Sequence, residues 1–173
     1  MQFFDALAAR HSTRAFSPAP VPAEKLDLVL AAAQAAPVGM GRYESLALTV
    51  VSQAPAVAVL HSKMNELFPK GNPLYDAPAF ILISSGPEAE AQANAACLIE
   101  NMLLACAAQG LASCYIGGAI PTIAANERLC KELAVPEGFT PVAGVVLGLP
   151  KDAAELEARK TLAAAGRIPV ARL

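Results

Sequence analysis

The sequence predicts a domain of the mixed α+β class, in which helices flank one mixed sheet. Helical and strand patterns alternate along the chain, an order that places helices against a single sheet. The 173 residues are enough for one domain whose core needs no disulfide or metal. Charged residues make up only 16% of the chain, against about 25% in typical domains. A surface so poor in charge indicates a large subunit interface.

Each element follows from apolar periodicity and from the positions of proline and glycine. Helical patterns cover residues 3–10, 23–35, 55–68, 87–109 and 123–133. Short apolar runs bounded by turn residues predict strands at 46–51, 79–84, 111–116 and 142–147. Gly110 stands where a helix C-cap belongs. We expect one domain over 1–173, in which the tail 151–173 is exchanged with a partner subunit.

Charge and composition exclude several classes of function. The net charge is −2 and there is no basic run, which argues against nucleic acid and anionic membranes as partners. The apolar stretches contain too many polar residues for a membrane span, and the first residues do not resemble a secretory signal. The four cysteines form no CxxC pair and only two histidines are present, so we expect no metal site. These features predict a cytoplasmic protein with reduced thiols.

The first candidate segment is Arg10-His11-Ser12-Thr13-Arg14, directly after the opening helix. Two guanidinium groups four residues apart, with a hydroxyl between them, can converge on a phosphate. A solvated helix end would have the same composition.

The second candidate segment is the loop Pro37-Val38-Gly39-Met40-Gly41. Its glycines allow a flat ligand to approach the backbone closely, although a simple turn fits as well. It is neither a P-loop nor a dinucleotide-binding fingerprint.

The third segment runs from Gly110 to Gly118, where a buried strand ends in a Gly-Gly turn. Backbone amides at such a turn can bind anionic or carbonyl oxygens. Cys114 lies within this strand and could be a nucleophile, but no histidine lies near it in the sequence.

The pair Arg159-Lys160 in the tail offers further cations. The Gly71-Asn72-Pro73 loop could present an amide to a ligand or form only a turn.

In this order the segments resemble the FMN-dependent nitroreductase family. RHSTRAF at 10–16 is similar to the family's R-x-S-x-R-x-F signature, and LIENMLLACAAQGLASCYIGG at 98–118 to its N-M-x-L-A-A…G-L-G-S-C-W-I-G stretch. Residues 35–51, 75–84 and 142–152 resemble its loop-and-strand, Y-x-A-P and L-G-Y-P segments. The resemblance spans nearly the whole chain.

The resemblance implies an intertwined homodimer with two FMN molecules at the interface. Arg10, Ser12 and Arg14 would hold the phosphate and ribityl chain, His11 would add contacts, and Arg159 or Lys160 would supply a further cation. The flavin ring would pack against residues of both subunits: Pro37, Val38, Gly39 and Met40 of one, and Cys114, Ile116, Gly117 and Gly118 of the other. Three departures affect the ring's surroundings. Gly41 replaces the common Asn, Tyr43-Glu44 replaces Gln-Pro, and Tyr115 replaces Trp.

The implied function is an oxidoreductase that passes hydride from NADH or NADPH through flavin N5 to an electron-poor acceptor, such as a nitroaromatic or quinone, in a ping-pong cycle. Because the flavin carries the chemistry, no side chain is assigned as catalytic. Three alternatives remain. These are a flavin-dependent dehydrogenase or dehalogenase acting on another small molecule, a non-catalytic FMN-binding protein, and a thiol redox protein that uses Cys114.

Overall fold

The computed structural model of the chain describes residues 1–156, 168–169 and 171–172. The helices within them are α1 (Phe3–Ala9), α2 (Ala23–Gln34), α3 (Ala54–Leu67), α4 (Ala91–Ala108), α5 (Ile120–Ala124) and α6 (Glu127–Glu132). The strands are β1 (Leu46–Val51), β2 (Ala79–Ser85), β3 (Ala112–Ile116) and β4 (Thr140–Gly148). Short 3₁₀ turns occupy Gly39–Gly41, Tyr43–Ser45 and Ala153–Leu156. The α+β class is confirmed, and so are all four predicted strands.

The four strands form one sheet in the order β1-β2-β4-β3, and every neighbouring pair is antiparallel. The parallel component of the predicted mixed sheet is, in the described part of the chain, an isolated bridge between Ser12 and Ser113. Side chains alternate between the two faces of a strand. Ile81 and Ile83 of β2 therefore pack with α2 and α4 on one face, while Phe80 and Leu82 pack with α3, α5 and α6 on the other.

The long helix α4 buries one stripe of its surface rather than most of it. Leu98, Met102 and Cys106 are spaced by four residues and are buried. The opposite side exposes Ala93 and Ala96, together with Cys97. The helix ends as predicted: Gly110 has a φ of 69°, and the Leu111 N–H donates a 2.8 Å hydrogen bond to the Cys106 carbonyl, as expected for a Schellman cap.

The helix predicted at 123–133 is two short helices with a break between them. The side-chain oxygen of Asn126 accepts a 3.0 Å hydrogen bond from the Leu129 N–H, so Asn126 caps α6 as a new helix. Apolar periodicity continues across the break, which is why the sequence pattern predicts one helix. The first of the two helices, α5, begins two residues after the Gly117-Gly118 turn.

Candidate functional site

The segment Arg10–Arg14 runs in an extended conformation beside β3. The Thr13 N–H donates a 2.9 Å hydrogen bond to the Ser113 carbonyl, and Ser12 forms a parallel bridge with Ser113. Because side chains alternate in extended chain, Thr13 is buried and Ser12 and Arg14 are exposed. The structure therefore brings the first and third predicted segments together.

His11 is held by its own segment. Its Nδ1 lies 2.9 Å from the Ala9 carbonyl oxygen, which can only accept, so Nδ1 carries the proton. Its Nε2 then accepts from the Thr13 hydroxyl at 3.3 Å. Because both ring nitrogens are engaged, His11 has its backbone rather than its ring to offer a ligand.

Arg14 is an exposed cation with one of its donors engaged. Its Nε donates to the Tyr75 hydroxyl at 3.3 Å, and the guanidinium carbon lies 5.8 Å from the centre of the Tyr75 ring. This hydrogen bond, together with attraction to Cys114, raises the pKa of Arg14 above its usual value. Within residues 1–156, its terminal nitrogens make no hydrogen bond or ion pair, so they remain available as a two-pronged donor.

Arg10 faces a different partner. Its Nε lies 3.9 Å from Oε1 of Glu100 on α4, and both side chains are partly exposed. A solvated pair at this distance contributes little stability, about 0–1 kcal/mol. A phosphate group could therefore displace the carboxylate at small cost.

The turn after β3 is open, whereas the strand itself is closed. Cys114 and Ile116 are buried, and Gly117 and Gly118 are exposed. A Cβ added to Gly118 would meet no atom within 4 Å, which leaves space above the turn. Cys114 is 3% exposed and its Sγ contacts the Tyr115 carbonyl oxygen at 3.5 Å. A buried thiol with no base beside it among the described residues does not suit a nucleophile.

The loop from Pro37 to Gly41 is anchored elsewhere in the chain. Val38 is buried in the core, and the Gly39 N–H donates a 2.9 Å hydrogen bond to Oδ1 of Asn94, on the first turn of α4. Met40 projects into solvent with 88% of its surface exposed and a φ of 55°. Met40 thus combines a large exposed apolar side chain with a left-handed backbone, a conformation that costs free energy for a residue other than glycine.

Loop 71–77 contributes a residue that the sequence analysis did not select. Tyr75 and Asp76 are consecutive left-handed residues, with φ of 55° and 52°, a conformation that costs about 1–3 kcal/mol for each non-glycine residue. Asn72 does not face a ligand, because its amide bonds to the loop itself and to His61. The resemblance at 75–84 assigned Tyr75 no role at the site, and its contact with a residue 61 positions away leaves no periodic signal.

The recess beside Arg10 is small. Its volume is about 60 Å³, and Arg10, His11, Thr13 and Ser113 are among the residues that line it, whereas pockets for cofactors measure about 300–1,000 Å³. A larger groove of about 460 Å³ lies between β1, α3 and α6 and contains none of the predicted site residues. The recess that Arg10 lines is therefore too small for a cofactor. Arg159 and Lys160 lie outside the described residues.

Comparison with known proteins identifies the family. The model of the Nitroreductase family matches residues 7–70 and 41–149, most of the chain. The chain belongs to the nitroreductase family. The match includes both segments that meet at the Thr13–Ser113 hydrogen bond. A search of curated proteins found none that matches this chain in sequence.

Solved structures of nitroreductases share the fold. A nitroreductase with bound FMN from Bacteroides fragilis is 27% identical, with a TM-score of 0.81, and the alignment covers 99% of this chain and 100% of that one. A nitroreductase with bound FMN from Desulfitobacterium hafniense is 24% identical with a TM-score of 0.75, covering 88% and 91% of the two chains. An FMN-dependent nitroreductase from Clostridium difficile is 22% identical with a TM-score of 0.69, covering 99% and 94%. No helix in the described part of this nitroreductase-family chain is long and apolar enough to cross a membrane.

Proposed function

We propose that this nitroreductase-family protein binds FMN and transfers hydride from NADH or NADPH to an electron-poor small molecule such as a nitroaromatic or a quinone. The observation that carries the proposal is the pairing of segment 10–14 with β3, which brings the arginine segment alongside the strand that leads into the Gly-Gly turn. The FMN bound by the B. fragilis protein, which aligns over its whole length, supports the same cofactor here.

The donor set suits a phosphate ester joined to a flat ring. Ser12 and Arg14 are both exposed, and together with Arg10 they would supply neutral and charged donors for the phosphate and ribityl chain. The His11 backbone adds contacts, and Arg159 or Lys160 adds a further cation. The backbone from Cys114 to Gly118 covers one side of the ring, where the absence of side chains on the two glycines allows close approach.

We infer that the other wall comes from a second copy of the chain, in an intertwined homodimer. Pro37, Val38, Gly39 and Met40 of that copy would pack on the ring. Three features of the described chain support this. The recess at Arg10 is too small for FMN, large apolar side chains such as Phe3, Phe4 and Met40 are exposed, and β1 pairs with another described strand on one edge only. The tail 151–173 would exchange with the partner and could pair with that edge.

The chain's own residues bind and orient. When bound, FMN would supply the hydride-transfer chemistry at its N5 between NADH or NADPH and the acceptor, and donor and acceptor would use one pocket in turn. The arginines would hold the anionic end, and the backbone from Cys114 to Gly118 would contact the ring. Hydride transfer requires no side-chain acid or base, and we assign none. A cytoplasmic location, where thiols stay reduced, fits the four free cysteines.

The test starts with the purified protein and FMN. We expect saturable binding with a flavin absorption spectrum, loss of the oxidised band when NADH or NADPH is added without oxygen, and its return with a nitroaromatic or quinone. Replacing both Arg10 and Arg14 with alanine should weaken FMN binding at least hundredfold while the dimer stays folded. Unchanged affinity in this variant, or a wild-type protein that ignores FMN, would exclude the proposal.

The same assay separates the alternatives. FMN binding without oxidation of NADH or NADPH would indicate a non-catalytic flavin protein. Turnover with an oxidisable or halogenated substrate, but with no nitroaromatic or quinone, would indicate a flavin-dependent dehydrogenase or dehalogenase. Loss of activity in Cys114→Ala without any bound flavin would indicate a thiol redox protein.

A further inference from the structure

Tyr75 and Arg14 come from distant parts of the chain and meet at the candidate site. Arg14 follows the first helix, whereas Tyr75 precedes β2, and the two are joined by the 3.3 Å hydrogen bond from Nε to the phenol oxygen. The guanidinium also lies near the ring face, where an aromatic ring attracts a cation. Tyr75 therefore fixes both the distance and the tilt of the guanidinium plane.

The loop that carries Tyr75 is held in place from several directions. Oδ1 of Asn72 accepts from the Leu74 N–H at 2.9 Å, while its Nδ2 donates to Oδ1 of Asp76 at 2.8 Å and to Nδ1 of His61 at 2.9 Å. His61 is in turn fixed by its Nε2, which donates to the Ala77 carbonyl at 2.9 Å.

The hydrogen bonds of Asn72 and His61 hold the residues immediately before and after Tyr75. Leu74 and Ala77 are buried, so the loop is anchored in the core immediately before and after Tyr75 and Asp76. Two consecutive left-handed residues persist only where the surroundings determine them. The surroundings here present the phenol hydroxyl to Arg14.

We propose that Tyr75 is a positioning residue that holds Arg14 in the orientation required to bind FMN, an inference that rests on the proposed function. With Nε engaged by Tyr75, the two terminal nitrogens of Arg14 are left as a two-pronged donor. An exposed arginine without this contact samples many rotamers, and ordering them on binding opposes affinity. Tyr75 removes that cost before the ligand arrives.

The experiment is a double-mutant cycle on the dissociation constant for FMN, measured by flavin fluorescence with wild type, Tyr75→Phe, Arg14→Ala and the double variant. Tyr75→Phe removes one hydroxyl and retains the ring. We expect it to weaken FMN binding about tenfold, the loss typical of one hydrogen bond to a charged group. In the Arg14→Ala background the same change should have less than a twofold effect, because the group that Tyr75 positions is gone.

The matched control is Tyr115→Phe, a tyrosine on β3 that is 40% exposed and not in contact with Arg14. Its effect, whatever its size, should be the same in both Arg14 backgrounds. Melting curves of the apoproteins report folding, and a purely structural role for Tyr75 would lower the melting temperature without coupling to Arg14.

The outcomes are distinct. Equal losses from Tyr75→Phe in both Arg14 backgrounds, or no loss in either, would overturn the inference while leaving FMN binding by the wild type intact. A wild-type protein that does not bind FMN would overturn the proposed function and this inference together.

Discussion

The Thr13 amide nitrogen and the Ser113 carbonyl oxygen lie 2.9 Å apart and join the start of the chain to the edge strand of the sheet. This hydrogen bond sets which residues of segment 10–14 face inward. Thr13 is buried beneath it, and the residues on either side point outward. The arrangement of cations at the candidate site is therefore a consequence of backbone pairing, which makes the roles of individual side chains testable.

Arg10→Ala should weaken FMN binding at least tenfold and leave riboflavin binding within twofold, because riboflavin lacks the phosphate that we assign to Arg10. Titration of both flavins followed by fluorescence provides the measurement. The matched control is Arg128→Ala, which removes an exposed arginine that pairs with Glu132 on α6. Equal losses for the two flavins would show that Arg10 does not contact the phosphate.

Ala96→Arg should dissociate the proposed homodimer. Ala96 is exposed on the outer side of α4, and we propose that this face lies at the two-fold axis of the dimer. Two copies of a charged side chain there would repel each other and lose solvation. Analytical ultracentrifugation should show a dimer dissociation constant raised at least hundredfold. Ala58→Arg is the control, since Ala58 is an exposed alanine on α3. If the dimer dissociation constant of Ala96→Arg equals that of the wild type, the interface lies on another surface.

Gly144→Ala should destabilise the fold by about 1–3 kcal/mol, the usual cost of overpacking a core. A Cβ at Gly144 would lie 2.6 Å from the Phe80 ring and 3.3 Å from the Ile81 carbonyl oxygen, and Phe80 is buried. Urea unfolding measures the loss, and Phe80→Leu in the same chain should recover part of it. Gly118→Ala, which meets no atom within 4 Å, should change the unfolding free energy by less than about 0.5 kcal/mol. Equal stability of wild type and Gly144→Ala would contradict the close contact.

Asn72→Ala should cost about 1–3 kcal/mol, because it leaves the Leu74 N–H and the His61 Nδ1 without their partners and no longer restrains the left-handed pair. Chemical denaturation provides the free energy. Asn65→Ala, at an exposed position on α3, is the control and should have little effect. If the two variants have the same stability, the loop is held by other contacts.

Cys106 should make the protein less stable in alkali. Burial raises the pKa of its thiol from 9.0 to about 12, although a hydrogen bond with Ser113 opposes the shift. Between these two values the unfolded chain releases the proton and the folded chain retains it, so stability falls as pH rises from about 9. The slope from this group approaches about 1.4 kcal/mol per pH unit.

The measurement is urea unfolding of wild type and Cys106→Ala between about pH 8 and about pH 10.5, a range that includes the ordinary pKa of a thiol. The unfolding free energy of the wild type should decline more steeply with pH. Thiol alkylation of the native protein gives an independent readout. Exposed Cys97 should react and Cys106 should not. Parallel pH profiles for the two proteins would show that Cys106 ionises freely in the folded state.

The fold was predictable from the sequence because its information is periodic and local. Leu98, Met102 and Cys106 repeat at helical spacing, and the apolar run at 79–84 lies between Pro78 and Gly86, so the type and approximate ends of α4 and β2 follow directly. The break before α6 was missed, because a single Asn126 cap interrupts an apolar pattern that otherwise continues.

The site was predictable only in part. The grouping of arginines and the Gly-Gly turn are visible as motifs, but their meeting depends on the pairing of Thr13 with Ser113, which no pattern within either segment encodes. The contribution of Tyr75 depends on a loop conformation with two left-handed residues and on a contact across the fold. Such contacts follow from tertiary packing rather than from propensity.

The pairing of the amino-terminal segment with β3 also determines when the site can assemble in the cell. Roughly 100 residues separate Thr13 from Ser113, and contacts between positions so distant form late in folding. On a ribosome, Arg10 and Arg14 emerge long before the strand that orders them. Under the proposed function, loading of FMN would therefore wait until translation has passed β3.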